Sequence, residues 1–197
     1  MNRCLVYFML CLFPLLTYAQ AHSRILTSSS IAEPCFVTSY LSHQHLMAFQ
    51  HRALQKAEDV EEYLKIVRNY KYDKILREQA AKMLLAFFVK DAEITFESDT
   101  LIRQISVQDF VQELLERDQN SIVPSPKTIK NKRLESSLAL QKSGYYVGMI
   151  AYNMIDKEDP DFTSERIITV HLQKVGKIFG EIEEDVWEVK LGNVVVR

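Results

Sequence analysis

Hydrophobic and polar positions change their rhythm twice along this chain. Residues 5–16 are a predominantly apolar block, preceded by Arg3 and followed by the small residues Ala19 and Ala21. Beyond a polar stretch the spacing turns helical. Val60, Tyr63, Leu64 and Val67 recur at i, i+3, i+4 and i+7, which predicts an apolar stripe on a helix whose other face carries Glu61, Glu62, Lys65 and Arg68. Residues 41–56 have helical composition too, and lead toward that helix. After an interruption at residues 69–72, Asp73 is a reasonable N-cap for a second helix in which Leu76, Ala80, Met83, Leu84 and Phe87 share a face. Residues 92–96 and 100–105 alternate and predict a short hairpin. Ser106 followed by Asp109 resembles a capping box, opening a third helix on Val107, Phe110, Val111, Leu114 and Leu115 that ends near Arg117.

Past residue 132 the period falls to two. Leu134, Ser136, Leu138 and Leu140 predict one face of a strand, and Lys142-Ser143-Gly144 a hairpin loop with glycine at the left-handed position. Residues 145–155 return as the partner strand, where Gly148 signals a bulge or bend. Residues 157–164 are a charged loop. Ile168, Val170 and Leu172 then alternate with Thr169, His171 and Gln173, so His171 is expected on the outer face. Residues 178–196 close the chain, with Trp187, Val189 and Leu191 on one side and Glu188 and Lys190 on the other. Every glycine lies in this second half, and residues 36–123 hold neither glycine nor proline, which supports helices first and strands afterwards.

The opening block reads as an export signal: a positive start, a short apolar core, and small residues ahead of a cut after Ala19 or Ala21. Its apolar core falls short of the ~20 residues of a membrane-spanning helix. Three segments are therefore expected: a signal peptide over 1–21, a partly helical extension over 22–56 with the polar run Thr27-Ser28-Ser29-Ser30, and a domain over 57–197. Removing the signal, whose only charge is Arg3, takes the formal net charge from −2 to −3. That balance forecasts no nucleic-acid surface. Of the three cysteines, Cys4 and Cys11 lie in the signal. Cys35 is left without a partner for an intramolecular disulfide, and its neighbours Glu33 and Pro34 give no reason for a reactive thiol.

The element order, together with Tyr63-Leu64, the stretch Phe87-Phe88-Val89-Lys90-Asp91-Ala92-Glu93-Ile94 and residues 105–114, resembles the nuclear-transport-factor-2-like superfamily. The resemblance implies an α+β fold, with three helices packed in a strongly curved antiparallel sheet that forms a cone. It also implies a cavity at the wide end of the cone, where catalytic relatives place acids, histidines or tyrosines and other relatives bind ligands or partners. The candidate cavity residues are Tyr63, Phe87, Asp91, Phe96, Tyr146, Tyr152 and Trp187. Asp91 is the first candidate acid by position, although an aspartate at a helix-to-strand junction commonly bonds nearby backbone.

Catalytic constellations are otherwise missing: the sequence holds no nucleophile elbow and no phosphate loop, and the mature chain has no cysteine pair. His43 and His45 lie about 200° apart on a helix and cannot share an ion, so no metal or cofactor is expected. The acidic set Glu181, Glu183, Glu184, Asp185 and Glu188 lacks calcium-loop spacing and reads as a solvated edge. The sequence thus leads to an exported, periplasmic or secreted, non-catalytic binding domain of the bacterial cell envelope. Its expected partner is a protein or a small apolar ligand, with a homodimer through the sheet face as a further mode. The alternative is a SnoaL-like or isomerase-like enzyme acting on a small hydrophobic substrate through Asp91 or a cavity tyrosine.

Overall fold

Among the described residues, three helices precede or interrupt six strands in the order α1 (His43–Arg68), α2 (Lys74–Ala86), β1 (Glu93–Glu97), β2 (Ile102–Ser106), α3 (Val107–Glu116), β3 (Lys127–Leu140), β4 (Tyr146–Asp156), β5 (Thr163–Phe179) and β6 (Ile182–Val196). The structure, a computed structural model, describes residues 40–98, 100–117, 127–159, 161 and 163–197. The expected signal segment, the polar lead-in and Cys35 lie outside the described residues. The fold is α+β, consistent with the cone-type arrangement that the element order implies.

The strands form one sheet in the order β2-β1-β6-β5-β4-β3. It is mixed, where the resemblance implies an antiparallel sheet: β1 runs parallel to β6, pairing Ile94 with Val194 and Phe96 with Val196, while every other neighbouring pair is antiparallel. The parallel contact follows from connectivity. Between α2 and β1 the chain passes alongside Leu191, where the Val89 N–H donates to the Leu191 carbonyl and the Leu191 N–H to the Phe87 carbonyl. That direction of entry leaves β1 running with β6.

Local chemistry sets the boundaries. Ser42 caps α1, accepting from the His45 N–H at 3.3 Å, and Asp73 caps α2, accepting from the Leu76 N–H at 2.7 Å. At α3 the Ser106 hydroxyl accepts from the Asp109 N–H, as an N-cap does, and donates to the Asp109 carboxylate, so the aspartate answers the hydroxyl and not the backbone N–H that a full capping box would engage. The β3–β4 turn closes on Gly144 at φ 85°, the left-handed conformation expected there. Gly148 has a steric reason: a Cβ would stand 3.0 Å from the Ser136 carbonyl oxygen, beside shifts in the β3–β4 register.

Helix α1 is continuous across the expected division at 56/57. Its buried residues Gln50, Ala53, Ala57, Val60, Glu61, Leu64 and Val67 keep a spacing of three and four from end to end, so one stripe faces the core. Strand β3 begins at Lys127, ahead of residue 132, past which the sequence shows the period of two. As an edge strand it buries only Leu138, while Leu134 and Leu140 stay exposed. Strands β4 and β5 carry the centre of the core, with Ile150, Tyr152, Met154, Ile168, Val170 and Leu172 all buried.

In α2 the buried face is Arg77, Ala80, Ala81 and Leu84, whereas Leu76 and Met83, expected inside, are 39% and 49% exposed. The cause is Arg77. Its Nε donates to the Val67 carbonyl at 2.8 Å, and its Nη2 donates to the carbonyls of Leu114 at 2.9 Å and Leu115 at 3.2 Å. One guanidinium thus meets free carbonyls in the last turns of both α1 and α3, where the helix dipole also favours a cation. Replacing Arg77 by Leu leaves buried carbonyls without donors and is expected to cost roughly 3 kcal/mol. Urea denaturation checks this, and an unchanged midpoint would show that Arg77 does not hold the helices.

Candidate functional site

The residues that line a cavity inside the fold come from every layer. Helix α1 contributes Val60, Glu61, Leu64 and Arg68, and α3 contributes Phe110 and Val111. The sheet supplies Ile94, Phe96, Tyr152, Arg166, Ile168, Val194 and Val196. The cavity measures about 40 Å³. That is far below the ~300 Å³ at which drug-sized ligand sites begin, because side chains of the fold fill most of the cone. As the side chains stand there is room for a few water-sized groups, so a ligand with a carbon chain enters only as lining side chains such as Phe96 or Phe110 move aside.

Its polar part is a compact ionic cluster. Arg166 pairs with Glu61 through Nη1 and Oε1, with both side chains almost fully buried. The Tyr152 hydroxyl donates to the same Glu61 oxygen at 2.9 Å. Strand geometry brings the two sheet residues together, since Tyr152 and Arg166 are direct partners in the β4–β5 register and face the same side. Burial pushes the Tyr152 phenol well above its ordinary pKa, and the Glu61 charge adds to the effect. A phenol in this position stays protonated as a donor. For Arg166 burial opposes the charge, yet Glu61 and Tyr152 outweigh it and the pKa is raised.

Arg68 completes the cluster. Its guanidinium carbon lies 6.0 Å from the Phe110 ring centroid. Burial, reinforced by the charge of Arg166 and partly offset by Glu61, lowers its pKa to about 10. Lys127 feels the same field: burial lowers its pKa first, then Arg166 and Arg68, against Asp156 and Glu61. Arg166 keeps one buried donor, Nε, without a hydrogen-bond partner among the described residues.

Two of the seven expected cavity residues, Phe96 and Tyr152, line this site. Tyr63 and Phe87 instead pack on each other at 5.8 Å between ring centroids, with Lys56 over the Phe87 ring at 5.3 Å. Tyr146 and Trp187 form an edge-on pair at 5.5 Å, and the Tyr146 hydroxyl accepts from the Leu41 N–H. Asp91 is exposed and stands outside the cavity. His171 is half-buried beside Tyr145 and over Gly192, where a Cβ would come within 2.5 Å of its Nε2, and burial lowers its pKa.

No protein-family model and no curated protein matches this chain. Among solved structures, the crystal structure of yeast UBP3-associated protein BRE5 aligns at 12% identity and a TM-score of 0.38, over 80% of this chain and 97% of that one. A likeness that low carries no functional argument. The site therefore has to be read from its own chemistry.

Periodicity and residue type together miss Glu61, Arg68 and Arg166. The first two fall to the solvent face of α1 when sorted by their charge, although Glu61, Leu64 and Arg68 stand at i, i+3 and i+7 and so share a side. Arg166 lies two residues before Ile168, in step with Val170 and Leu172, and strand parity alone puts it inside. The cluster can be dissected by a double-mutant cycle. Glu61→Leu, which strands a buried guanidinium, is expected to destabilise by about 3–5 kcal/mol, and adding Arg166→Met should recover most of that loss. Additive losses on chemical denaturation would show that the pair is not coupled.

Proposed function

We propose that this chain is an exported, non-catalytic binding domain of the bacterial cell envelope, a member of the cone-fold superfamily that receives a small apolar ligand in the cavity between α1, α3 and the sheet. One observation carries the reading: the cavity's carboxylate, Glu61, is already engaged by a guanidinium and a phenol. A carboxylate held by two side chains of the fold itself is tied into the core and not presented to a substrate, which weakens the isomerase-like alternative. The walls around it are apolar, as a binding site requires. Export rests on the signal pattern of residues 1–21. No helix among the described residues is long and apolar enough to cross a membrane.

Expressed at full length in a bacterium, the protein should appear in the periplasmic fraction with Gln20 or His22 as its first residue, read by intact-mass spectrometry. The purified mature protein should show saturable NMR shifts with 1-hexanol at Leu64, Phe110 and Val196, and Val196→Phe should weaken binding at least tenfold. If hexanol produces no saturable shift at these residues, the ligand reading fails.

A protein-partner reading is favoured by a different observation. Beyond Leu172, β5 pairs only with β6, and the resulting ribbon ends in Ile178, Phe179 and Ile182, which are 76%, 55% and 62% exposed. Apolar side chains gathered at a hairpin tip mark a contact surface. Crosslinking in the native envelope is expected to yield a defined adduct that Ile178→Ser/Phe179→Ser abolishes, and an unchanged adduct pattern removes the tip as the contact.

A further inference from the structure

Toward its tip the β5–β6 ribbon loses its neighbours on both sides. Strand β4 reaches no further along β5 than Leu172, and β1 joins β6 only from Val194 on, with a single bridge from Phe88 to Leu191. From Ile182 to Glu188, β6 is therefore an open edge among the described residues, where alternate N–H and C=O groups lack a strand to bond. Along it stand the exposed Glu183, Glu184 and Asp185, with Glu181 in the turn before them. None of the four forms an ion pair or side-chain hydrogen bond among the described residues, and the nearby Lys177 pairs instead with Glu188 at 3.7 Å. Pleating turns these successive acids to opposite faces. Glu184 lies opposite Lys177, on the face that holds the Phe179–Ile182 and Val175–Val186 pairs, whereas Glu183 and Asp185 lie on the other. A flat basic surface laid on one face of the ribbon meets only part of this set. A strand added at the edge meets all of it, since its own side chains alternate in step.

Resting on the reading of the ribbon tip as a protein contact, we propose that the β6 edge takes an added strand from a partner protein, an extended segment whose consecutive Lys or Arg residues meet Glu183, Glu184 and Asp185 while its apolar residues cover Ile182 and Val186. Main-chain hydrogen bonds supply the general affinity of such pairing, and cross-strand charges choose the sequence. Acids at an edge keep it from pairing with its own kind, because like charges would meet, yet they leave it open to a strand of opposite charge. The basic residues Lys132 and Arg133 on the β3 edge of this chain are already paired with Glu58, Glu135 and Glu165, which points to a foreign strand and not to a second copy. An edge built only for solvation has no use for the exposed Ile178, Phe179 and Ile182 beside its acids.

NMR titration of the isotope-labelled mature protein with the capped peptide Thr-Val-Arg-Lys-Arg-Val-Thr tests this. Saturable shifts should gather at residues 182–188, and Glu183→Lys/Asp185→Lys should weaken binding about tenfold, with an unchanged spectrum elsewhere showing that the variant is folded. The same peptide with glutamate in its three basic places, or N-methylated at those three residues, should bind far more weakly. Equal binding of the glutamate peptide overturns the basic assignment, and equal binding of the methylated one overturns strand addition. A dimer of the protein alone that Glu183→Lys/Asp185→Lys dissolves, or cosedimentation with phosphatidylglycerol vesicles, overturns the foreign strand in favour of a second copy or a lipid surface. Absence of saturable shifts at residues 182–188 overturns the proposal outright. The tip reading is judged separately on the envelope adduct: if Ile178→Ser/Phe179→Ser abolishes it and Glu183→Lys/Asp185→Lys does not, the basic strand is lost and the tip contact stands.

Discussion

Carrying a carboxylate into the core is what ties the helices of this protein to its sheet. Glu61 sits on the buried stripe of α1, and a charge at that depth is tolerated only where partners meet it. Two neighbouring strands supply them, Arg166 from β5 and Tyr152 from β4, which are opposite each other in register. The arrangement fixes the rotation of α1 about its axis and its position along the sheet, because a shift of either by one residue would leave the carboxylate or the guanidinium alone. Apolar packing around it, from Val60, Leu64, Ile150, Ile168 and Val170, provides the driving force but is less particular about register.

Elements set by neighbours in sequence are legible from the amino acids alone. The caps Asp73 and Ser106, the glycine turn at Gly144, the inward alternation of Ile168, Val170 and Leu172, and the β1–β2 hairpin all depend on interactions within a few residues. The features that depart from the sequence pattern depend on distant partners. Arg77 turns its face of α2 inward because carbonyls of α1 and α3 are there to receive it, and nothing within α2 itself announces those carbonyls. The parallel pairing of β1 with β6 likewise joins segments about a hundred residues apart.

The candidate site shows the same division more sharply. Aromatic residues are the natural markers of a cavity, but four of them, Tyr63, Phe87, Tyr146 and Trp187, stack in pairs elsewhere, as bulky rings do when they fill a core. The groups that give the cavity its character are charged residues, which helix patterning sends to solvent by default. Periodicity records position on a face, and residue type records an average preference. Where the two disagree, as at Glu61 and Arg166, the disagreement itself marks the site.

Arg77 has a mechanical consequence. By spanning from α2 to the last turns of α1 and α3, it makes the helical layer one body that cannot splay at that end without breaking charge-assisted hydrogen bonds. At its β3 edge the sheet meets α1 through the half-exposed Lys132–Glu58 ion pair, a weaker tie than buried hydrogen bonds, and its register shifts at several bulges. Breathing of the interior therefore belongs to the strands: the wall flexes and the floor stays still.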